Sequence, residues 1–563
     1  MEIPVRYNHV GYAPDAAKIF FVVSEELKKL TREPVEKLRF RIVSSEGAVL
    51  HVGSFREGSF DHQGSCDYSA ETLWTGDFSA VKKECACSIQ ICENIEGCEG
   101  VFPKVLFESE KFEIGKAWIE RQLKANIKSF YFQRSGVELE EKFAGKWARP
   151  ASHLDDCIGF HPMMNRDGFW NAQGGWYDAG DYGKYIVNGG VSVGTLLLAS
   201  LLCEGSVESI TQGGTWEQPY SLKDEVRFEL EFFLRMLDDD GGVFFKVTPE
   251  RWDSFVSPEV SDRSQKRLIL GKSTSSTLNF AGSLAMAALV YRKDDAFFAG
   301  RCLDASRRAY RWALDNPKVD WPRNTEGSGG YGDDNVNDEF FWARAALFCN
   351  EPEESLYPLL REDMKSNGPR LGLDWRDTQN FGWILLSLQH HDKVLQKRAR
   401  ETLEGCAWEI MRLQKEDAYG ISIRKFIWGS NGEISNHALT LAIVNLWRHE
   451  INGEALDFWC REQLNFVYGR NPVNYSFVTG SAWSSPVNPH HRISHGDGVE
   501  DPVPGLLVGG INGDRQDLRR GVRYPGDLPG LSYADQQPSF ASNETAINWN
   551  APLTAVLALL CRS

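Results

Sequence analysis

The hydrophobic period of this chain changes once, near Phe112, and that change limits what it can fold into more than any other feature. Before it lie short β-type runs: Ile19-Phe20-Phe21-Val22-Val23, Leu38-Arg39-Phe40-Arg41-Ile42-Val43 and Cys87-Ser88-Ile89-Gln90-Ile91. Ala13-Pro14-Asp15, Ser45-Glu46-Gly47 and Glu57-Gly58 punctuate them as turns. Short strands so spaced predict a small antiparallel β-sandwich over residues 1–110. Beyond Phe112, the residues Trp118, Gln122, Ala125 and Ser129 fall on one helical stripe. Apolar residues then recur at three and four in segments near 187–204, 222–237, 274–291, 297–315, 338–349, 377–391, 394–413, 435–450, 454–469 and 544–560. Roughly ten to twelve helices joined by loops rich in Gly, Trp and Asp predict an α/α toroid over residues 111–563. Its mouth is built from those loops, where functional side chains concentrate.

The densest loop is Gln173-Gly174-Gly175-Trp176-Tyr177-Asp178-Ala179-Gly180-Asp181-Tyr182-Gly183-Lys184-Tyr185. Glycines allow turns that other residues resist, so a shaped loop leading into the apolar run from Ile186 is expected. Aromatic faces suit a sugar ring, and the aspartates supply charge. Taken alone, Asp-x-x-Asp is most often solvated surface. Here it has a distant counterpart in Glu544, expected at the start of the last apolar helix, where apolar walls raise a carboxyl pKa and keep it protonated. The plainer reading is a glutamate facing the helix dipole. Cleaving an acetal needs an acid to protonate the leaving oxygen and a second carboxylate across the ring. The two stand about 6.5–9.5 Å apart when a water attacks directly, against about 5–5.5 Å when the carboxylate itself attacks. Pro489-His490-His491-Arg492 adds planar donors suited to ring hydroxyls. It lies in an irregular region from about Gly469 to Asn543, too long to be a plain connector.

A net charge of −16 argues against nucleic-acid partners. No uninterrupted apolar stretch is long enough to cross a bilayer, and the opening Met1–Arg6 has neither the basic nor the apolar part of a leader. The expectation is a cytoplasmic protein without membrane partners. Twelve thinly spread cysteines fit a reduced compartment. The one cluster, Cys85, Cys87, Cys92 and Cys98, lacks paired C-x-x-C hooks, so free thiols are expected. His-Glu-x-x-His, Walker A, Gly-x-Ser-x-Gly and Rossmann fingerprints are all missing.

Together these stretches resemble glycoside hydrolase family 9. Asn8-His9-Val10-Gly11-Tyr12 with Pro14-Asp15-Ala16 is similar to the opening of the immunoglobulin-like domain that precedes many family 9 catalytic domains. Gly174-Gly175-Trp176-Tyr177-Asp178-Ala179-Gly180-Asp181 resembles the family's catalytic-base motif. Gly332-Asp333 with Asp338-Glu339-Phe340, then Trp428-Gly429-Ser430-Asn431, Tyr468-Gly469-Arg470-Asn471-Pro472 and Pro489-His490-His491-Arg492, follow in the family's order. Asn543-Glu544 with Asn548-Trp549-Asn550-Ala551-Pro552 resembles the catalytic-acid motif. The resemblance implies an immunoglobulin-like β-sandwich followed by an all-α (α/α)6 barrel that hydrolyses O-glycosyl bonds with inversion. It implies Asp181 as general base, Asp178 as a second holder of the attacking water and Glu544 as general acid. His490 and Arg492 would bind sugar just before the scissile bond, with Trp176, Tyr177, Trp342 and Tyr533 as further candidate contacts. No cofactor is required. Some relatives carry structural calcium or zinc; here Ser152-His153 replaces the frequent Cys-His, Cys157 and His161 lie nearby, and no calcium loop can be located.

An enzyme that degrades polymers meets them outside the cell, so a chain with no visible export signal is expected to take imported β-linked di- or oligosaccharides. The expected activity is exo-acting hydrolysis of β-1,4-linked gluco-configured chains, of β-glucosidase or exo-β-glucosaminidase type, the acidic balance suiting a cationic glucosamine. The alternatives are an endo-β-1,4-glucanase (a cellulase), a non-catalytic sugar-binding protein, and a phosphorolytic enzyme. The choice of sugar and the oligomeric state stay open.

Overall fold

The computed structural model describes residues 3–93, 104–203, 221–321 and 326–562, so Cys98 of the cysteine cluster lies outside the described residues. The chain forms two compact units. The first comprises Met1–Leu123, Trp408–Pro489 and Leu507–Asn543; the second comprises Lys124–Ala407, His490–Leu506 and Glu544–Ser563.

In the first unit, one sheet orders Val5–Arg6, Ile19–Val23, Glu71–Asp77 and Arg56–Glu57. A second orders Gly11–Tyr12, Phe112–Ile114, Cys85–Glu93, Leu38–Ser44 and Val49–Gly53. Period-two alternation decides the faces: Leu38, Phe40 and Ile42 are buried, while Arg39 and Arg41 remain partly exposed. Phe20, Phe40, Trp74, Phe78, Ile89 and Phe112 fill the resulting core. The helical texture expected from Phe112 begins only at Ala117. Phe112–Ile114 is instead a strand, parallel to Gly11–Tyr12 and antiparallel to Cys85–Cys87.

The same unit holds helices Ser430–Val444 and Leu456–Val467. The first starts at Ser430 rather than at the expected Ser435-Asn436. Gly429, at φ 85°, turns the chain into it, and Ser435 and Asn436 lie inside, bonding back to the carbonyls of Asn431 and Gly432.

The second unit is mainly helical. Thr274–Tyr291 is buried along its whole length, and Asn337–Asn350, Gln379–Leu388 and Ile547–Arg562 are buried along most of theirs. Ala296–Asp315 buries only one stripe, including Phe298, Cys302, Ala309 and Ala313, and packs on Thr274–Tyr291. Helices buried on nearly every side and helices buried along one stripe are the two patterns such layering requires. Five short strands form a sheet the sequence does not announce, in the order Phe169–Trp170, Ile158–Phe160, Arg267–Lys272, Phe244–Pro249, Lys184–Tyr185. Its last strand hands the Gln173–Tyr185 loop onto helix Ile186–Leu202. At the other end of the sequence, the last helix begins at Ile547, so Glu544 precedes its first turn and the helix-dipole reading fails.

Candidate active site

The paired-aspartate loop is held from several sides. Gly174 and Gly175 adopt φ of 77° and 79°, which only glycine takes up without strain. A Cβ at Gly180 would stand 2.0 Å from the carbonyl oxygen of His490, so close backbone approach demands glycine there too. Gly180 O accepts from the backbone N–H of Arg492 at 3.0 Å and from its guanidinium at 2.8 Å. The backbone N–H of Asp178 donates to Gly183 O at 2.9 Å and closes the loop on itself.

Asp178 is 2 % exposed, with both carboxylate oxygens engaged. Asn188 Nδ2 donates to Oδ1 at 2.6 Å, and the Tyr331 hydroxyl donates to Oδ2 at 2.6 Å. Burial pushes its carboxyl up to about 7, the two hydrogen bonds pull the other way, and the charge of Asp181 adds to the rise. Asp181, 7 % exposed, accepts the Gly183 N–H on Oδ1 at 2.7 Å. Glu544 lies in the same place. It pairs with His490 as a parallel β-bridge and accepts the Gly180 N–H, and Ile547 N–H donates to the Asp178 carbonyl at 2.9 Å. Burial holds its carboxyl well above the ordinary range. Asp181 raises it further, Arg492 opposes, and Asp178 adds a smaller rise. The fold thus joins a proton-retaining glutamate to two aspartates distant in sequence, the pairing acid–base cleavage of an acetal requires.

The other sequence candidates divide. His490 is half-buried, its ring edge-on to Phe255 at 4.9 Å. Arg492 commits donors to Gly180 O and Asp253 O and lies over the Phe255 and Trp252 rings, so it positions the loop as well as bordering the site. Trp342 is not a surface contact. It is 0 % exposed, stacked on Phe381 at 4.3 Å, and fills the space opposite Gly282, where a Cβ would stand 2.6 Å away. Trp176 is buried with its indole N–H on Glu225, and Tyr177 is buried with its hydroxyl 2.7 Å from His153 Nδ1; both brace the loop from below. Tyr533 belongs to the first unit, buried, donating to Asn543 Oδ1 at 2.8 Å. Sequence reasoning overlooked Asn188 and Tyr331. An amide inside an otherwise apolar helix was the signal for Asn188, and the glycine-rich loop 327–333 was the signal for Tyr331. That loop is fixed where Gly329 O accepts from the Tyr185 hydroxyl at 2.7 Å and from Lys246 Nζ at 3.0 Å.

Among the described residues, no three His, Cys, Asp or Glu side chains are grouped to hold a metal. His153 has both ring nitrogens in hydrogen bonds, to Tyr177 and Ser261, and Cys157 is exposed with His161 turned to Glu326. Neither group therefore offers the structural calcium or zinc of some relatives a ligand set among the described residues.

A helical frame carrying a buried glutamate against paired aspartates defines a glycoside hydrolase. Residues 120–557 match glycosyl hydrolase family 9 and residues 2–94 match the cellulase N-terminal ig-like domain. The chain belongs to glycosyl hydrolase family 9. It is 31 % identical to a xyloglucan-specific endo-beta-1,4-glucanase of Bacteroides ovatus, over 99 % of this chain and 93 % of that protein. A cellodextrinase of Butyrivibrio fibrisolvens is 29 % identical over 98 % of this chain and 99 % of its own length. Among solved structures, a thermostable endoglucanase of Alicyclobacillus acidocaldarius superposes with a TM-score of 0.85 at 26 % identity, covering 99 % of both chains.

Proposed function

We propose that this enzyme hydrolyses β-1,4-linked gluco-configured oligosaccharides with inversion, releasing sugar from chain ends. Glu544 protonates the leaving oxygen, Asp181 deprotonates the attacking water, and Asp178 holds that water with it. The observation that carries this reading is the Gly180 N–H bound to Glu544, which ties the acid to the loop of both aspartates. Asp181 Oδ1 is fixed by the Gly183 N–H, and no described residue donates to its other oxygen, which suits contact with a water. The Asp181 charge adds to the rise of the Asp178 carboxyl.

The relatives' names favour a glucan over a glucosamine substrate: a cellodextrinase supports action on short chains, and an endo-glucanase supports internal cleavage as the second reading. Glu544→Gln is expected to lower turnover of cellotetraose by about 10²–10⁴-fold with sugar binding retained. Unchanged turnover refutes the acid assignment. Fresh product should carry the inverted anomer, and retention would exclude water activation by Asp181. Release of a sugar 1-phosphate in phosphate buffer would move the chain to the phosphorolytic class. On carboxymethyl cellulose, reducing ends that form without an early drop in viscosity mark exo action, whereas a rapid drop marks endo action.

A further inference from the structure

We propose that a cavity wholly within the first unit, between the turn carrying His9 and the loop carrying Trp483, is a second carbohydrate site that takes one neutral glucan disaccharide. Its volume of about 570 Å³ lies inside the range of roughly 300–1,000 Å³ typical of ligand pockets. His9 lines it and is 3 % exposed. Its Nε2 bonds Asn474 Oδ1 at 3.1 Å and must therefore carry the proton, which leaves Nδ1 as an acceptor with no partner among the described residues. Burial pulls the His9 pKa down to about 4, so the ring stays neutral at ordinary pH. Gln122 also lines the cavity, 7 % exposed, and its Oε1 is likewise an acceptor without a partner among the described residues. Neither atom has surface open to the cavity in this structure, so a ligand O–H reaches Gln122 Oε1 only once that side chain turns toward the space.

Trp483 supplies the flat surface. Its indole packs on the His9 ring, centroids 4.8 Å apart and planes inclined by 33°, and its N–H donates to the Tyr7 hydroxyl at 3.2 Å. So anchored, the residue still leaves 45 % of its surface open, as a platform for the apolar face of a pyranose. The charges around the cavity nearly cancel: Glu108, Glu110 and Glu113 stand against Lys111 and Arg121, the last paired with Glu113 at 2.5 Å. An anionic ligand finds no net complement there, and the mixed signs favour a neutral polyhydroxyl one. None of these residues belongs to the catalytic group. That the sugar is a β-glucan rests on the proposed function; the ring-and-hydroxyl chemistry of the cavity does not.

Calorimetric titration of the full-length Glu544→Gln protein with cellobiose tests the idea. Two sites are expected, and Trp483→Ala or Gln122→Leu added to that background should each leave one. Melting curves establish that the variants fold; should Trp483→Ala lose its transition, Gln122→Leu carries the test, since that exchange keeps the side-chain volume. A single site in the parent, or a second site of unchanged affinity in a folded variant, overturns the proposal. On the active background, Trp483→Ala should hydrolyse cellotetraose within about twofold of the parent, because it touches none of the reacting groups. Failure of the catalytic reading would show separately, as no turnover of cellotetraose by the unaltered enzyme.

Discussion

Asp178 has both oxygens hydrogen-bonded and still titrates high, because loss of water outweighs the two donors. A carboxyl raised in the fold binds its proton more tightly folded than unfolded. Its contribution to stability is full below the unfolded value near 4 and is lost as pH rises through about 7. Asp178→Asn removes that loss, and its unfolding free energy should fall less than the parent's between pH 5 and pH 8, by an amount on the order of 2 kcal/mol. An identical slope in both proteins would show that Asp178 is not raised. Tyr331→Phe acts in the opposite sense: Oδ2 loses its donor, so kcat should drop about 10–100-fold and the acid limb of the pH profile should move upward. A loss of kcat with an unmoved limb would assign Tyr331 a packing role only. The carboxylates were legible in the sequence because they sit in dense motifs. Tyr331 was not, since nothing local reveals that a hydroxyl 153 positions away closes on Asp178.

Between residue and fold stands the support beneath the aspartate loop. Asp155 Oδ1 accepts from Arg267 Nε at 2.8 Å, and its Oδ2 lies 2.7 Å from Lys184 Nζ, all three buried. Lys184 reaches on to the carbonyls of Ala172 and Gly174, and Arg267 to that of Tyr182, so one charge cluster holds the loop at both ends. Burial draws Lys184 down to about 8, and the Asp155 charge keeps it from falling further. Asp155→Asn preserves the backbone, which sits at φ 51° where asparagine is tolerated, but leaves two cations without their carboxylate. A cost of about 3–5 kcal/mol in denaturant unfolding is expected. A loss below 1 kcal/mol would mean that water screens the cluster. The long amphipathic helices were legible from their period, as at Leu222–Met236 and Ala296–Asp315. The sheet was not: its strands have two to six residues, and Ile158–Phe160 pairs with Arg267–Lys272 across more than a hundred positions. No local period can encode such a partner.

The largest consequence concerns whether the sandwich is an appendage. The shift of period near Phe112 marks a change of architecture, and chain order invites a cut there. Inside the first unit, however, the sandwich and the helical segments share buried polar contacts. Asn8 Nδ2 donates to Asn465 Oδ1 at 3.0 Å, the Tyr419 hydroxyl to Glu71 at 2.6 Å, and the His9 and Gly530 N–H groups pair with the carbonyls of Tyr468 and Tyr68. Ser59 Oγ donates to Ala418 O at 2.5 Å. Removing residues 1–110 opens those partners to water, and with them the apolar faces of Tyr419, Trp459 and Phe426 that Phe21, Phe60 and Tyr68 cover. Exposing a large apolar side chain costs about 1.5–3 kcal/mol, and several together approach the roughly 5–15 kcal/mol by which domains are stable at all. The fragment 111–563 is therefore expected to express as aggregate, or to melt without a cooperative transition and without turnover. Soluble fragment with a sharp transition within a few degrees of the full chain, and with comparable kcat on cellotetraose, would show that the sandwich contributes little to the stability of those segments.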